Sequence, residues 1–238
     1  MKSATSIGAF FDLDGTLLPR PSLEWRFIAH LSKLGEISAA NLLPWVWLSA
    51  RRLLQAPQKA ISNKMYLARL PESLASEWAD SPAGESIKFL QEGLDHISWH
   101  IGEGHRIAFV SGTLAPLARA VARRLAIDAD VIATNLEVAG DRWTGRLAGP
   151  HMSDRQKANA VLGFAKQHAL RLEQSYAYGD RISDLPMLES VGHPFAVNPD
   201  LRLERVARLR AWAICNWRFV SEPALDLRRR SLPIKGAA

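Results

Sequence analysis

Residues Ile7 to Phe11 form an apolar run of strand length that stops abruptly at Asp12 and Asp14, and Gly15-Thr16 turns the chain immediately afterwards. Two carboxylates are thereby fixed at the end of a buried strand. A strand repeats every two residues, so Asp12 and Asp14 leave it on the same side unless the turn at Gly15 redirects the second. Like charges held that close need a cation or a proton between them. An Asp-x-Asp turn standing alone is equally compatible with simple capping of the bend, so the rest of the chain has to decide.

At 238 residues and 47% apolar content, the chain is long enough for one core domain with a smaller one inserted or appended. Its formal charge of +6 admits anionic partners, although solubility alone accounts for a balance of this size. Cys215 is the single cysteine, which excludes an intrachain disulfide framework and suits a reducing compartment. A cleaved leader would take Asp12 with it, so a cytoplasmic location is expected. The longest uncharged stretch, Ile37 to Ala50, has 14 residues and contains Pro44. That is short of the roughly 20 needed to span a bilayer, so no transmembrane helix is expected.

Pro19-Arg20-Pro21-Ser22 reads as a turn, with Ser22 capping a helix that opens at Leu23 and carries Trp25, Ile28, Leu31 and Leu34 on one face. Further helical runs near 40–55, 58–69 and 72–79 follow without a strand signal. A helix over Gly84 to Ile101 would line up Ile87, Leu90, Leu94, Ile97 and Ile101. On it His96 and His100 stand four apart. With no Glu between them in a zinc-protease pattern and no third ligand, they read as surface histidines rather than a metal site.

Ile107 to Val110 is a second apolar strand, ending in Ser111-Gly112-Thr113 before a helix bearing Leu114, Leu117, Val121 and Leu125. This arrangement aims backbone N–H groups and a hydroxyl at an anion, although it is also ordinary capping chemistry. Residues 130–148 read as a third strand and a hairpin turning at Ala139-Gly140-Asp141. Ser153-Asp154-Arg155-Gln156 predicts a capping box with Ser153 as the N-cap. Lys157 then lies near the positive end of a helix dipole, a conflict that an anion in front of the helix would remove. Ser175 to Tyr178 is a further strand, followed by Gly179-Asp180 and, four residues on, Asp184 at a helix entry. Two short strands, His193 to Asn198 and Trp212 to Asn216, flank an arginine-rich helix. Arg228-Arg229-Arg230 and Lys235 mark a basic tail.

In order and spacing, Asp12-x-Asp14-Gly15-Thr16, Ser111-Gly112, Lys157 and Gly179-Asp180-x-x-x-Asp184 resemble the four motifs of the haloacid dehalogenase superfamily. The helical insert after the first motif resembles the branch that contains the phosphoserine phosphatases. The resemblance implies an α/β fold, a Rossmann-like doubly wound parallel-sheet core with an inserted α-helical cap. The core would be residues 1–18 and 84–217, the cap 19–83 and the basic tail 218–238. In such a sheet ligands sit beyond the carboxyl ends of the strands, where Asp12, Ser111 and Asp180 all fall.

The implied activity is that of a Mg²⁺-dependent phosphatase acting through an aspartyl-phosphate. Asp12 would be the nucleophile and Asp14 the general acid and base, with Ser111, Gly112 and Lys157 holding the phosphoryl group. Mg²⁺ would be held by Asp12, the backbone carbonyl of Asp14, Asp180 and Asp184. Superfamily dehalogenases lack the second acid, so Asp14 argues for phosphoryl chemistry.

Phosphoserine phosphatases carry an acid shortly after the first motif for the substrate amine. Here Pro19-Arg20-Pro21 occupies that region and Glu24 is displaced, which makes Arg20 and Glu24 the candidate substrate contacts. Ser183 also stands where those enzymes usually carry Asn. Trp25, Trp45, Trp47 and Trp78, with the stretch Leu42 to Leu48 before Arg51-Arg52, suit either a packed cap or peripheral contact with a lipid or other amphiphilic phosphomonoester. Two other classes remain: a phosphotransferase using the same intermediate, and a non-catalytic binding module using Arg202, Arg205, Arg208 and Arg210. No nucleic-acid motif accompanies those arginines, so the expected partner is a small phosphomonoester.

Overall fold

The computed structural model describes residues 6–37 and 64–218, together with Asn41, Leu43, Val46 and Trp47. The remainder of the stretch Leu42 to Leu48, Arg51-Arg52, most of the helical runs expected near 40–55 and 58–69, and the tail beyond Arg218 lie outside the described residues. Among those that are described, no helix is long and apolar enough to cross a membrane.

Six strands make one parallel sheet: β1 (Gly8–Phe11), β2 (Arg106–Leu114), β3 (Ala129–Thr134), β6 (Tyr176–Gly179), β7 (His193–Val197) and β8 (Ala213–Cys215), in the order β3-β2-β1-β6-β7-β8. The first strand in sequence is therefore central, with Phe10 opposite Ala108 on one side and Ala177 on the other. The chain winds outward from β1 in one direction and then, from β6, in the other. The switch point between β1 and β6 is where such sheets bind ligands. A separate antiparallel hairpin, β4 (Leu136–Ala139) and β5 (Arg142–Leu147), turns at Gly140 as the sequence predicts.

Side-chain alternation divides the sheet residues between two cores. Ala9, Phe11, Ile107, Phe109, Tyr178 and Phe195 face one layer of helices, while Phe10, Ala108, Val110, Ala177 and Ala196 face the other. The first face packs on α4 (Gln91–Gly102) and α5 (Ala115–Leu125), and the second on α6 (Arg155–Gln167) and α8 (Leu201–Leu209). Completing the order are α1 (Leu23–Lys33), α2 (Ser73–Ala79), the single turn α3 (Pro82–Glu85) and the single turn α7 (Leu185–Leu188). Phe10 and Phe11 are wholly buried, each stabilising the sheet by about 2–3 kcal/mol.

Four sequence expectations are corrected. On α1 the buried stripe is Leu23, Glu24, Phe27 and Leu31, while Trp25 and Leu34 face outward. The helix expected from Gly84 begins only at Gln91. Leu90 donates its N–H to the Leu17 carbonyl at 2.9 Å, so Ile87, Phe89 and Leu90 are buried in a non-helical segment instead. Ser153 does not cap α6, because its own N–H turns back to the His151 carbonyl. Asp154, at φ +49°, takes the N-cap position instead. Lastly, His96 and His100 are not surface histidines.

The Tyr178 hydroxyl lies 3.1 Å from His96 Nδ1 and 2.9 Å from His100 Nε2, and His100 Nδ1 is 2.7 Å from His105 Nδ1. Burial lowers the His96 pKa to about 4 and holds His100 well below the ordinary value. Above pH 6.5 these rings are neutral in the folded and unfolded chains alike. Below it the unfolded chain binds protons that the folded chain refuses, so stability falls with pH between 6.5 and 4. The slope is about 1.4 kcal/mol per pH unit for each fully titrating histidine. Replacing His96 by Leu removes one such proton. Chemical denaturation of both proteins across that window should give a shallower pH dependence in the variant. Parallel curves would mean that His96 titrates normally in the fold.

Candidate active site

The carboxyl ends of β1, β2 and β6 carry the motif residues, and local backbone bonding dictates where each side chain goes. Asp12 closes the ladder of β1 by donating its N–H to the Tyr178 carbonyl at 3.0 Å. The chain then wraps around the Leu13 carbonyl, which accepts from Leu17 and Leu18 at 3.0 and 2.9 Å. Gly15 makes this turn at φ +95°, and a Cβ there would stand 2.1 Å from Asp180 Oδ2. Only glycine lets the first motif approach the fourth so closely. The turn also redirects Asp14, whose Oδ1 accepts the Leu23 N–H at 2.7 Å at the start of α1.

Lys157, in the first turn of α6, reaches across the sheet end. Its Nζ lies 2.5 Å from Asp12 Oδ1 and 2.7 Å from Asp184 Oδ1. Asp184 Oδ2 in turn accepts the N–H groups of Asp180 and Arg181 at 3.2 and 3.1 Å. Asp180 Oδ2 meets Arg20 Nη2 at 2.5 Å. Asp12, Lys157, Asp180 and Asp184 are all buried.

The electrostatics follow from that burial. Desolvation pushes the Asp12 carboxyl well above its ordinary range, opposed by Lys157 and reinforced by Asp184, Asp180 and Asp14. Burial also raises Asp14, against the Leu23 N–H, and lifts Asp180 to about 6 against Arg20. Burial alone would lower Lys157, but Asp12 and Asp184 outweigh it and keep the ammonium protonated. Three buried carboxylates thus share one buried lysine and a half-exposed arginine. Asp12, Asp180 and Asp184 each offer an oxygen within 4.8 Å of the others. An all-oxygen, anionic donor set of this kind fits a hard divalent ion such as Mg²⁺. The Asp14 carboxylate is not part of this cluster and is held on the Leu23 N–H instead.

On the other flank, the pairing of β2 with β3 is regular up to Ser111 opposite Ala133 and then shifts register before Leu114, which frees Gly112-Thr113 from the ladder. Thr113 donates its N–H to Ser111 Oγ at 3.3 Å. Among the described residues the buried Thr113 hydroxyl has no partner; it belongs to the same pocket lining as Lys157, where an anionic oxygen would satisfy it. All four motifs line one pocket of about 350 Å³.

Both candidate substrate residues line that pocket, but neither is free. Glu24 accepts from Lys64 Nζ at 2.6 and 2.8 Å and also from the Tyr66 hydroxyl, and Arg20 is held on Asp180. Lys64, Thr113 and His151 also line the pocket, and sequence reasoning missed all three as site residues. Nothing local marks Lys64. Its partner Glu24 lies in another element, and the segment 64–71 is positioned by β5, through bonds such as Lys64 N–H to the Gly145 carbonyl.

Residues 9–189 match the family description of haloacid dehalogenase-like hydrolases. The chain belongs to that family. It is 36% identical over 229 residues to a Mycobacterium tuberculosis protein named phosphoserine phosphatase SerB1, spanning 91% of this chain and 72% of that protein. A solved structure of a Bordetella pertussis protein of unknown function superposes with TM-score 0.72 at 26% identity, covering 90% of this chain and 99% of that one. A phosphoserine phosphatase structure carrying an analogue of a phospho-aspartyl intermediate shares the fold, with TM-score 0.59 at 21% identity and coverage of 89% and 93%. This hydrolase therefore has the family's parallel sheet flanked by helices, and it is phosphoserine-phosphatase-like in sequence.

Proposed function

We propose that this hydrolase is a Mg²⁺-dependent phosphomonoesterase working through an aspartyl-phosphate on Asp12. The observation that carries the reading is the gathering of Asp12, Asp180 and Asp184 around Lys157, beside the Ser111-Gly112-Thr113 turn. A bound Mg²⁺, held by these three carboxylates and the Asp14 carbonyl, would neutralise charge on the phosphoryl oxygens.

The residues then divide the work. Lys157, Ser111 and the Gly112 amide hold the phosphoryl group in line with Asp12, whose carboxylate oxygen forms the bond to phosphorus. As the ester bond breaks, Asp14 gives its proton to the leaving oxygen; burial raises its pKa, in the direction that favours the protonated form a donor needs. Asp14 next takes a proton from water, which attacks the same phosphorus and releases phosphate and a free Asp12. Residues 19–83 act as the cap over a core of 1–18 and 84–217 and exclude bulk water during these steps. The single Cys215 fits work in the reducing cytoplasm.

Phosphate release from a panel of phosphomonoesters tests the reading. Turnover with Mg²⁺, lost in EDTA and restored by added Mg²⁺, is expected. Folded protein silent across the panel would overturn it, and transfer to an added alcohol in place of water would identify a phosphotransferase. A second reading, an amphiphilic substrate, draws on exposed apolar side chains: Trp25 at 62%, Leu43 at 67% and Trp47 at 61%, whereas Trp78 is packed against Phe27. Esters with long acyl chains belong in the same panel. No rate preference for them, with no binding to anionic vesicles, would remove the lipid reading.

A further inference from the structure

His151 lies on the turn before α6 and lines the same pocket as Asp12 and Lys157. Its Nδ1 is 3.1 Å from Thr134 Oγ1. That hydroxyl has a single proton, which it donates to the Gly112 carbonyl at 2.8 Å, and it accepts the Met152 N–H at 3.2 Å. Since a carbonyl has no proton to give back, the hydroxyl can only accept from the imidazole. Nδ1 therefore carries the ring proton, and Nε2 is left with a bare lone pair. The ring flanks the phosphate turn: a methyl group built on Gly112 would lie 3.6 Å from His151 Cε1 and 3.7 Å from Nε2. Burial, with Lys64 and Lys157 adding to it against Glu24, keeps the imidazole below its ordinary pKa and hence neutral at pH 7.

An acceptor is thus held beside the position the phosphate would occupy. The nearby carboxylate is closed to ligands, because both oxygens of Glu24 are on Lys64 and one also takes the Tyr66 hydroxyl. The Lys64–Glu24 ion pair is neutral overall, so it offers a substrate ammonium no unpaired anion. On the phosphatase reading above, we infer that His151 Nε2 accepts a hydrogen bond from an uncharged hydroxyl of the leaving group, making His151 a specificity-determining residue and the substrate a polyol phosphate.

The test compares kcat/KM for glycerol 1-phosphate, propyl phosphate and O-phosphoserine in the wild type and His151→Ala. One hydrogen bond made to the leaving group should favour glycerol 1-phosphate over propyl phosphate by about tenfold in the wild type. In His151→Ala that ratio should fall to about one, whereas a merely structural role would lower both rates together and keep the ratio. The imidazole ¹⁵N spectrum of the wild type reads the tautomer directly and does not depend on the variant folding. An unchanged ratio, a proton on Nε2, or a wild-type preference for O-phosphoserine over glycerol 1-phosphate would overturn the inference and leave the phosphatase intact. Silence of the wild type on all three esters and on the wider panel would remove both.

Discussion

Asp12→Asn should lower Mg²⁺-dependent phosphate release by roughly 10³-fold or more while leaving the protein folded. The amide keeps the shape of the carboxyl, so the turn around the Leu13 carbonyl and the Asp12 N–H bond to Tyr178 persist. On the proposed mechanism, what it removes is the carboxylate oxygen that would form the bond to phosphorus. It also removes one member of a group of buried acids that repel one another, and Lys157 keeps Asp184 as its partner. Thermal unfolding should therefore show no loss of stability in the metal-free protein. Turnover above about a tenth of the wild-type rate would exclude Asp12 as the nucleophile.

Lys157→Met should have the opposite pattern, damaging stability as well as rate. Its ammonium is the one buried cation among Asp12, Asp180 and Asp184, and removing one partner of a buried ion pair typically costs about 3–5 kcal/mol. Some of that is relieved because Asp12 and Asp180, already pushed upward, can take up protons. A fall in Tm of about 6–12 °C in EDTA corresponds to the ~3 kcal/mol that remains. Mg²⁺ should raise the Tm of the variant by more than that of the wild type, because the ion neutralises the carboxylates that lost their lysine. Loss of the proposed contact between Lys157 and the phosphoryl group should also lower kcat/KM by about 10²–10³-fold. Equal Mg²⁺-induced shifts in the two proteins would show that lysine and metal do not share carboxylates.

The sheet and the motif residues were legible in the sequence because their signals are local. An apolar strand ending in an acid or a Ser-Gly pair announces both its own burial and the polar end that must face a ligand. Asp12, Ser111 and Asp180 all fall into that class, and Lys157 was marked by its conflict with the helix dipole. Several misreadings have a different cause, a bond that local pattern does not reveal. Leu90 leaves the helical path because its N–H goes to the distant Leu17, whereas Ser153 loses its capping role to a tight local turn closed on His151. His96 and His100 have ordinary helical spacing, and only the position of Tyr178 on β6 explains why His100 is buried and His96 half-buried. The closure of Glu24 by Lys64 and Tyr66 likewise depends on how β5 holds residues 64–71.

The central position of β1 has a consequence for how the chain is made. During synthesis Phe10 and Asp12 leave the ribosome well before either neighbouring strand exists, and Ala177 opposite Phe10 follows only after β2 to β5 have been translated. The nascent segment must keep an apolar strand and two acids in solution meanwhile, with both strand edges unpaired. Such late, non-local closure gives a high contact order and slow folding. Asp12, Lys157, Asp180 and Asp184 can meet only once β6 and the residues after it have been made, so a partly synthesised chain never holds the complete cluster.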